Sequence, residues 1–281
     1  MRKVSAILPV LNEEKLLPTI LNNLAPYVHE IIAIDGGPEG PSTDGSRQLL
    51  DGCDKVRYFS GTYKSPYGTL DAGVQKNIGI REAVGDVLLF ASCDMFFSNL
   101  DIFMEAVEKE EDKLLFFMAN IEFWLNIKNM RLHSNDGNTM FSIPSSIVEM
   151  VAIDRSLSPT FDDLGSIKSK QALFETRLLM PQAVKYHAGW IRSFRQQVDK
   201  HIMHVKQRRW GDWGLELLGN GDKAIEQWAI RHVLSYPQTP SVDVVIKVPE
   251  EAQVFNEMQY NKGYERVINA FEEIYGESVF K

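Results

Sequence analysis

Val4-Ser5-Ala6-Ile7-Leu8-Pro9-Val10-Leu11-Asn12-Glu13 decides the fold class of this chain. Val4 to Val10 is a short apolar run that ends at Pro9 and Asn12, and from Glu13 to Leu24 the period changes, with Leu16, Leu17, Ile20, Leu21 and Leu24 on one helical face. The same alternation recurs downstream. Glu30 to Asp35 (Glu-Ile-Ile-Ala-Ile-Asp) reads as a second strand, closed by Gly36-Gly37-Pro38, a turn no strand continues through. Val87 to Ala91 is a third, entered from Gly85-Asp86 and left at Ser92-Cys93-Asp94, and Leu70 to Ala83 before it reads as a helix carrying Asn77 and Gly79. Strand and helix in alternation predict an α/β fold with a mainly parallel sheet flanked by helices.

Beyond Asp94 the sequence predicts a helix capped at Ser98 or Asn99 and running to about Glu111, a buried strand over Leu114–Trp124, a hairpin turn at Asn135-Asp136-Gly137-Asn138 and a strand from Pro181 to His187. The composition then changes: Ile191 to Trp210 is basic and periodic, and Lys223–Leu234 and Pro249–Tyr275 read as helices. A domain of residues 1–190 followed by a mostly helical extension, 191–281, is the expected division. There are 281 residues with 44% hydrophobic content, enough for a packed core, and the net charge of −8 excludes a surface that coats nucleic acid or anionic membrane as a whole. No apolar run reaches the length of a membrane span, and the two cysteines, Cys53 and Cys93, lack metal-ligand spacing. These features predict a cytoplasmic protein with reduced cysteines.

In an open parallel sheet, ligands bind beyond the carboxyl ends of the strands. Here those positions hold Asn12 and Glu13, Asp35 and Asp94, polar groups distant in sequence that the fold brings to one edge. The pieces Leu8–Glu14, Ile32–Gly37 with Ser42-Thr43-Asp44-Gly45-Ser46, and Asn77 to Phe90 in that order resemble a family 2 glycosyltransferase of the GT-A (Rossmann-like) fold, over about residues 3 to 97. The resemblance implies a nucleotide-sugar donor, UDP-linked, with Pro9, Asn12, Glu13, Asp35 and Asn77 at its nucleotide and Asp35 accepting hydrogen bonds from the base or ribose. The family's Asp-x-Asp motif falls on Ser92-Cys93-Asp94, a departure, since a hydroxyl replaces the first carboxylate. Asp94 is then the residue expected to touch a hard Mn²⁺ or Mg²⁺ ion.

Further along, the family pattern of an acidic pair, a Pro and a His matches Asp162-Asp163, Pro181 and His187, with Asp163 standing 24 residues before His187. The resemblance therefore implies Asp163 as general base, beside Asp162, and His187 as a second metal ligand; Glu175 is the alternative base. Attack by an acceptor hydroxyl, deprotonated by Asp163, would invert the anomeric carbon while the cation offsets charge on the leaving diphosphate. Arg192 and Arg195, shortly after His187, are expected at the diphosphate. The acceptor is read as a carbohydrate or another hydroxyl compound. Residues 185–209 carry seven Lys and Arg against Asp199, which, with Trp190, Trp210 and Trp213, gives the alternative of a nucleic-acid acceptor. A nucleotidyltransferase is disfavoured, because the first loop has neither Gly nor Lys. A non-catalytic sugar-nucleotide binding protein is the remaining alternative, kept open by Ser92.

Overall fold

The computed structural model describes residues 2–64, 72–110, 115–124, 126–131, 148–161, 167–169, 177–190, 194–206, 219–234, 241–243 and 250. The chain divides into two compact units, Met1–Ile121 with Asn135–His187, and Glu122–Ser134 with Ala188–Lys281. The first unit begins with β1 (Val4–Val10), α1 (Leu17–Leu24), β2 (Glu30–Asp35), α2 (Ser46–Asp51), β3 (Val56–Ser60), α3 (Ala72–Glu82) and β4 (Val87–Phe90). Strands β3, β2, β1 and β4 lie side by side in that order, all parallel, with Val10 opposite Asp35 and Ile7 opposite Phe90. Beyond β4 the direction reverses: β8 (Val148–Asp154) pairs antiparallel with it and β6 (Leu115–Trp124) antiparallel with β8. Between them in the chain run β5 (Met95–Ser98), α4 (Leu100–Lys109) and β7 (Asn126–Arg131). The unit thus has the mixed α/β architecture expected from the sequence, with a parallel core of four strands flanked by helices.

Burial on both faces explains why β1 and β2 read as nearly unbroken apolar runs, since Ile7, Ile32, Ile34, Leu88 and Ile153 form one core cluster. Helix α1 starts at Leu17 rather than Glu13, because Pro18 sits in its first turn and is pre-set for a helix start. Gly79 brings α3 against the sheet; a Cβ there would stand 2.4 Å from Ile7 Cγ2 and 3.0 Å from Ile34 Cδ1. At the amino end of the strands a polar network is closed inside the fold. The Glu30 carboxylate accepts from Ser5 Oγ at 2.5 Å, Val84 N–H at 2.7 Å and Arg57 Nη1 at 2.8 Å, while Ser5 Oγ accepts from Gly85 N–H at 2.8 Å. Burial opposes the Glu30 charge, but the bonds from Ser5, Val84 and Arg57 outweigh it and hold the group below its ordinary 4.5.

A small sheet completes the unit: β9 (Pro159–Phe161) pairs antiparallel with β10 (Ile167–Ser169), following a 3-10 turn at Arg155–Leu157. Strand β11 (Arg177–Trp190) pairs antiparallel with β5, setting His187 opposite Met95. In the second unit β7 pairs antiparallel with Phe123 and Trp124 of β6 and with β12 (Ser241–Asp243), and α5 (Phe194–Lys206) packs on α6 (Asp222–Leu234). There the rings of His201, Trp228 and His232 meet, Trp228 stacked on His232 at 5.0 Å. Both cysteines are free, and among the described residues no helix is long and apolar enough to cross a membrane. The hairpin turn expected at 135–138 and the helix expected at Pro249–Tyr275 lie outside the described residues.

Candidate active site

The carboxyl edge of β1 and β2 is a polar seam between two loops. Asn12 adopts a left-handed conformation at φ 54, which asparagine tolerates better than most residues, and turns three successive amides toward residues 42–46. Asn12 N–H donates to Ser42 Oγ at 2.8 Å, Glu13 N–H to Ser46 Oγ at 3.0 Å and Glu14 N–H to Asp44 Oδ2 at 3.0 Å. The reverse stitches are Thr43 N–H to Asn12 Oδ1 at 2.8 Å and Gly45 N–H to Glu14 Oε2 at 3.2 Å. Burial works against the Asp44 charge, yet the hydrogen bonds from Ser46 and from Glu14 N–H hold its carboxyl below the ordinary 3.8. The Ser42–Ser46 segment is therefore the lock between the first two strand ends.

Asp35 lies beneath this seam and is 0% exposed. One carboxylate oxygen accepts from Ser42 N–H at 3.1 Å and Ser42 Oγ at 2.5 Å, the other from Tyr58 OH at 2.8 Å. Asp35, expected at the base or ribose, is held by internal donors at both carboxylate oxygens. Sequence reasoning missed the two residues that enclose it. Ser42 was visible only as part of the Ser42–Ser46 piece of the family resemblance, and Tyr58 lies on β3, an edge strand with a half-exposed pattern. Gly36 completes the strand end: its φ of 149 suits glycine, and a Cβ would meet Gly61 O at 2.0 Å. Pro9 is half-buried, and its carbonyl lies 3.9 Å from Cys93 Sγ.

Asp94 and His187 are brought together. Because His187 pairs in register with Met95, the residue after Asp94, its Nε2 lies 3.7 Å from Asp94 Oδ1 although 93 positions separate them. Ser92 Oγ donates to the same Oδ1 at 2.5 Å, so the hydroxyl that stands in place of a carboxylate orients the remaining one. Asp94 is 6% exposed. An anionic oxygen and an imidazole nitrogen side by side are a donor set suited to a divalent cation. Among the described residues no group of three or more His, Cys, Asp or Glu could hold a metal ion.

The side-chain amide of Asn77, a residue expected at the nucleotide, bonds the backbone of Phe161 through both its nitrogen and its oxygen. Asp162, Asp163, the alternative base Glu175, and Arg192 lie outside the described residues, as do Trp210 and Trp213. Arg195 is bound to Asp199 and, at 3.7 Å, to Glu226. Lys206 bonds Asp222 at 2.9 Å, and Lys185 is 1% exposed. Of the described cations of the 185–209 stretch, Arg195 and Lys206 are thus paired with carboxylates and Lys185 is enclosed.

The family model for Glycosyl transferase family 2 matches residues 5–202. No curated protein matches the chain by sequence. Among solved structures, Staphylococcus aureus TarS 1–349 is 15% identical, with 83% of this chain and 71% of that one covered and a TM-score of 0.43. The longer TarS structure is 16% identical at TM-score 0.43, over 83% of this chain and 43% of that one. Glucosyl-3-phosphoglycerate synthase from Mycobacterium tuberculosis, in complex with Mg²⁺ and UDP, is 14% identical at TM-score 0.45, over 74% of this chain and 79% of that one.

Proposed function

The chain belongs to glycosyltransferase family 2, and from that premise we propose that it moves a sugar from a UDP-linked donor to the hydroxyl of a carbohydrate or related acceptor in the cytoplasm, with inversion. The catalytic domain in this reading is residues 1–190. One observation carries the proposal further than membership alone: Asp94 and His187, far apart in sequence, lie 3.7 Å apart beside the carboxyl edge of β4. They would hold Mn²⁺ or Mg²⁺, which when bound supplies Lewis-acid compensation for the charge of the leaving diphosphate. Ser92 fixes the orientation of Asp94. Pro9, Asn12 and Glu13 border the nucleoside, and Asp35 supports them through Ser42 rather than by contact. Arg192 assists at the diphosphate.

Asp163, with Asp162 beside it, accepts the acceptor's proton in this reading. Adjacent carboxylates repel, which raises the affinity of one of them for a proton toward the range where a base is useful at neutral pH. Asp163→Asn is therefore expected to keep donor binding while transfer falls by a factor on the order of 10² to 10⁴. The test of the whole reading is a panel of UDP-sugars with Mn²⁺ or Mg²⁺, scored by thermal stabilisation and by released UDP. Stabilisation by one UDP-sugar with cation-dependent release supports it; no stabilisation by any of them refutes it.

A further inference from the structure

We propose that Asn23 is a positioning residue for the cation site, holding Asp94 and His187 together by completing the outer edge of β5; the proposal rests on the reading of that pair as the cation's ligands. The side-chain amide of Asn23, on α1, meets a single residue of β5 twice. Its Nδ2 donates to Phe97 O at 2.8 Å, and Phe97 N–H donates to its Oδ1 at 2.9 Å. An amide that satisfies both the N–H and the C=O of one residue stands in for a neighbouring strand, and two parallel bonds fix orientation as well as distance.

Strand β5 gains from such a partner. It has four residues and pairs in the sheet with β11, a short ladder that would be marginal by itself. Successive residues of a strand turn their N–H and C=O to opposite edges, so with those of Phe97 committed to α1, Phe96 and Ser98 turn theirs toward β11. In that pairing Lys185 falls opposite Phe97 and His187 opposite Met95. A slip of one residue would turn His187 to the other face of the ladder, away from Asp94. Asn99, just past β5, braces the same register from the far end, its Nδ2 donating to Gln182 O at 2.7 Å. At the near end Met95 N–H donates to Ser92 O at 3.1 Å, so Asp94 sits inside a tight turn that opens directly into β5. Phe97, three positions after Asp94, is itself buried, which anchors the strand at the residue Asn23 grips. The approach of His187 to Asp94 thus depends on where β5 lies, and Asn23 fixes β5 on the side away from β11. Groups that orient a cation's ligands are worth about 10- to 100-fold in its affinity.

The test compares Asn23→Ala and Asn23→Asp with His187→Ala, the double variant Asn23→Ala/His187→Ala, and Gly79→Ala as a variant destabilised elsewhere, on α3 against β1 and β2. The readout is the Mn²⁺ concentration that gives half of the thermal stabilisation Mn²⁺ adds to UDP. Asn23→Asp keeps the acceptor for Phe97 N–H and loses the donor, so it stands in where the alanine variant does not fold. Expected is a rise of about 10- to 100-fold in that concentration for the Asn23 variants, with Gly79→Ala at the wild-type value. The double variant should be no weaker than His187→Ala alone, since a positioning residue then has nothing left to position. A wild-type Mn²⁺ response in a folded Asn23 variant, with His187→Ala impaired, would overturn the proposal while leaving the cation site in place. An equal loss in Gly79→Ala would make the effect one of general stability and overturn it as well. A wild-type response in His187→Ala would overturn the ligand assignment, and the proposal with it, on that single variant.

Discussion

Replacing Asp35 separates a residue that organises the site from one that touches the ligand. In Asp35→Ala three hydrogen bonds to a buried carboxylate disappear: two from Ser42, at 2.5 and 3.1 Å, and one from Tyr58 OH at 2.8 Å. Bonds to charged groups contribute roughly 1.5–3 kcal/mol each, but the carboxylate also no longer has to be kept out of water, so the three do not sum. A net loss of about 2–4 kcal/mol is expected, seen as a fall in melting temperature on the order of 5–15 °C for a domain of this size. Asp35→Asn keeps an acceptor for both Ser42 donors and can turn its NH₂ to the Tyr58 hydroxyl, which can accept. It should lose only about 1 kcal/mol. Thermal melts and UDP titrations of both variants are the assay. If Asp35→Ala melts like the wild type but binds UDP more than about tenfold more weakly, the carboxylate serves the ligand and the loop-anchor account is wrong.

Three other outcomes follow from the geometry. Gly79→Ala should be destabilised by about 1–3 kcal/mol despite alanine's better helix propensity, because the new methyl would stand 2.4 Å from Ile7 Cγ2; chemical denaturation measures it, and Ile7→Val in the same chain should not relieve it, since Cγ2 remains. Glu30, held below its ordinary 4.5, contributes stability that is present above that pH and lost as pH falls through its depressed folded value. Urea midpoints of Glu30→Gln should accordingly be lower at neutral pH and fall less on acidification below pH 4.5 than those of the wild type. In Asp94→Asn and in His187→Ala the stabilisation that Mn²⁺ adds to UDP should shrink by more than half, and a full cation effect in both would remove these residues from the metal site.

How much could be read beforehand varied with burial. Strands β1 and β2 fall on the expected residues, since strands covered on both faces must be apolar throughout. The expected strands at Leu114–Trp124 and Pro181–His187 appear as β6 and inside β11. What escaped was half-exposed or short: β3, on the edge with alternating contacts, the six-residue α2, which is too brief to show a helical period, and β5, four residues directly after Asp94. At the site, the meeting of Asp94 with His187 was anticipated through the family resemblance. The partners of Asp35 and Asn77, Tyr58 and Phe161, are announced by no local pattern.

The seam between residues 12–14 and 42–46 also settles where negative charge is unwelcome. At the end of the first strand of many nucleotide-binding sheets, bare amides form an anion hole in which phosphate oxygens rest. Here the N–H groups of Asn12, Glu13 and Glu14 already donate to Ser42, Ser46 and Asp44. A phosphate entering there would displace internal bonds and face the carboxylates of Glu13, Glu14 and Asp44. In the proposed function this rim suits the uncharged half of a ligand, and a cation held by Asp94 and His187 would offset its anionic oxygens.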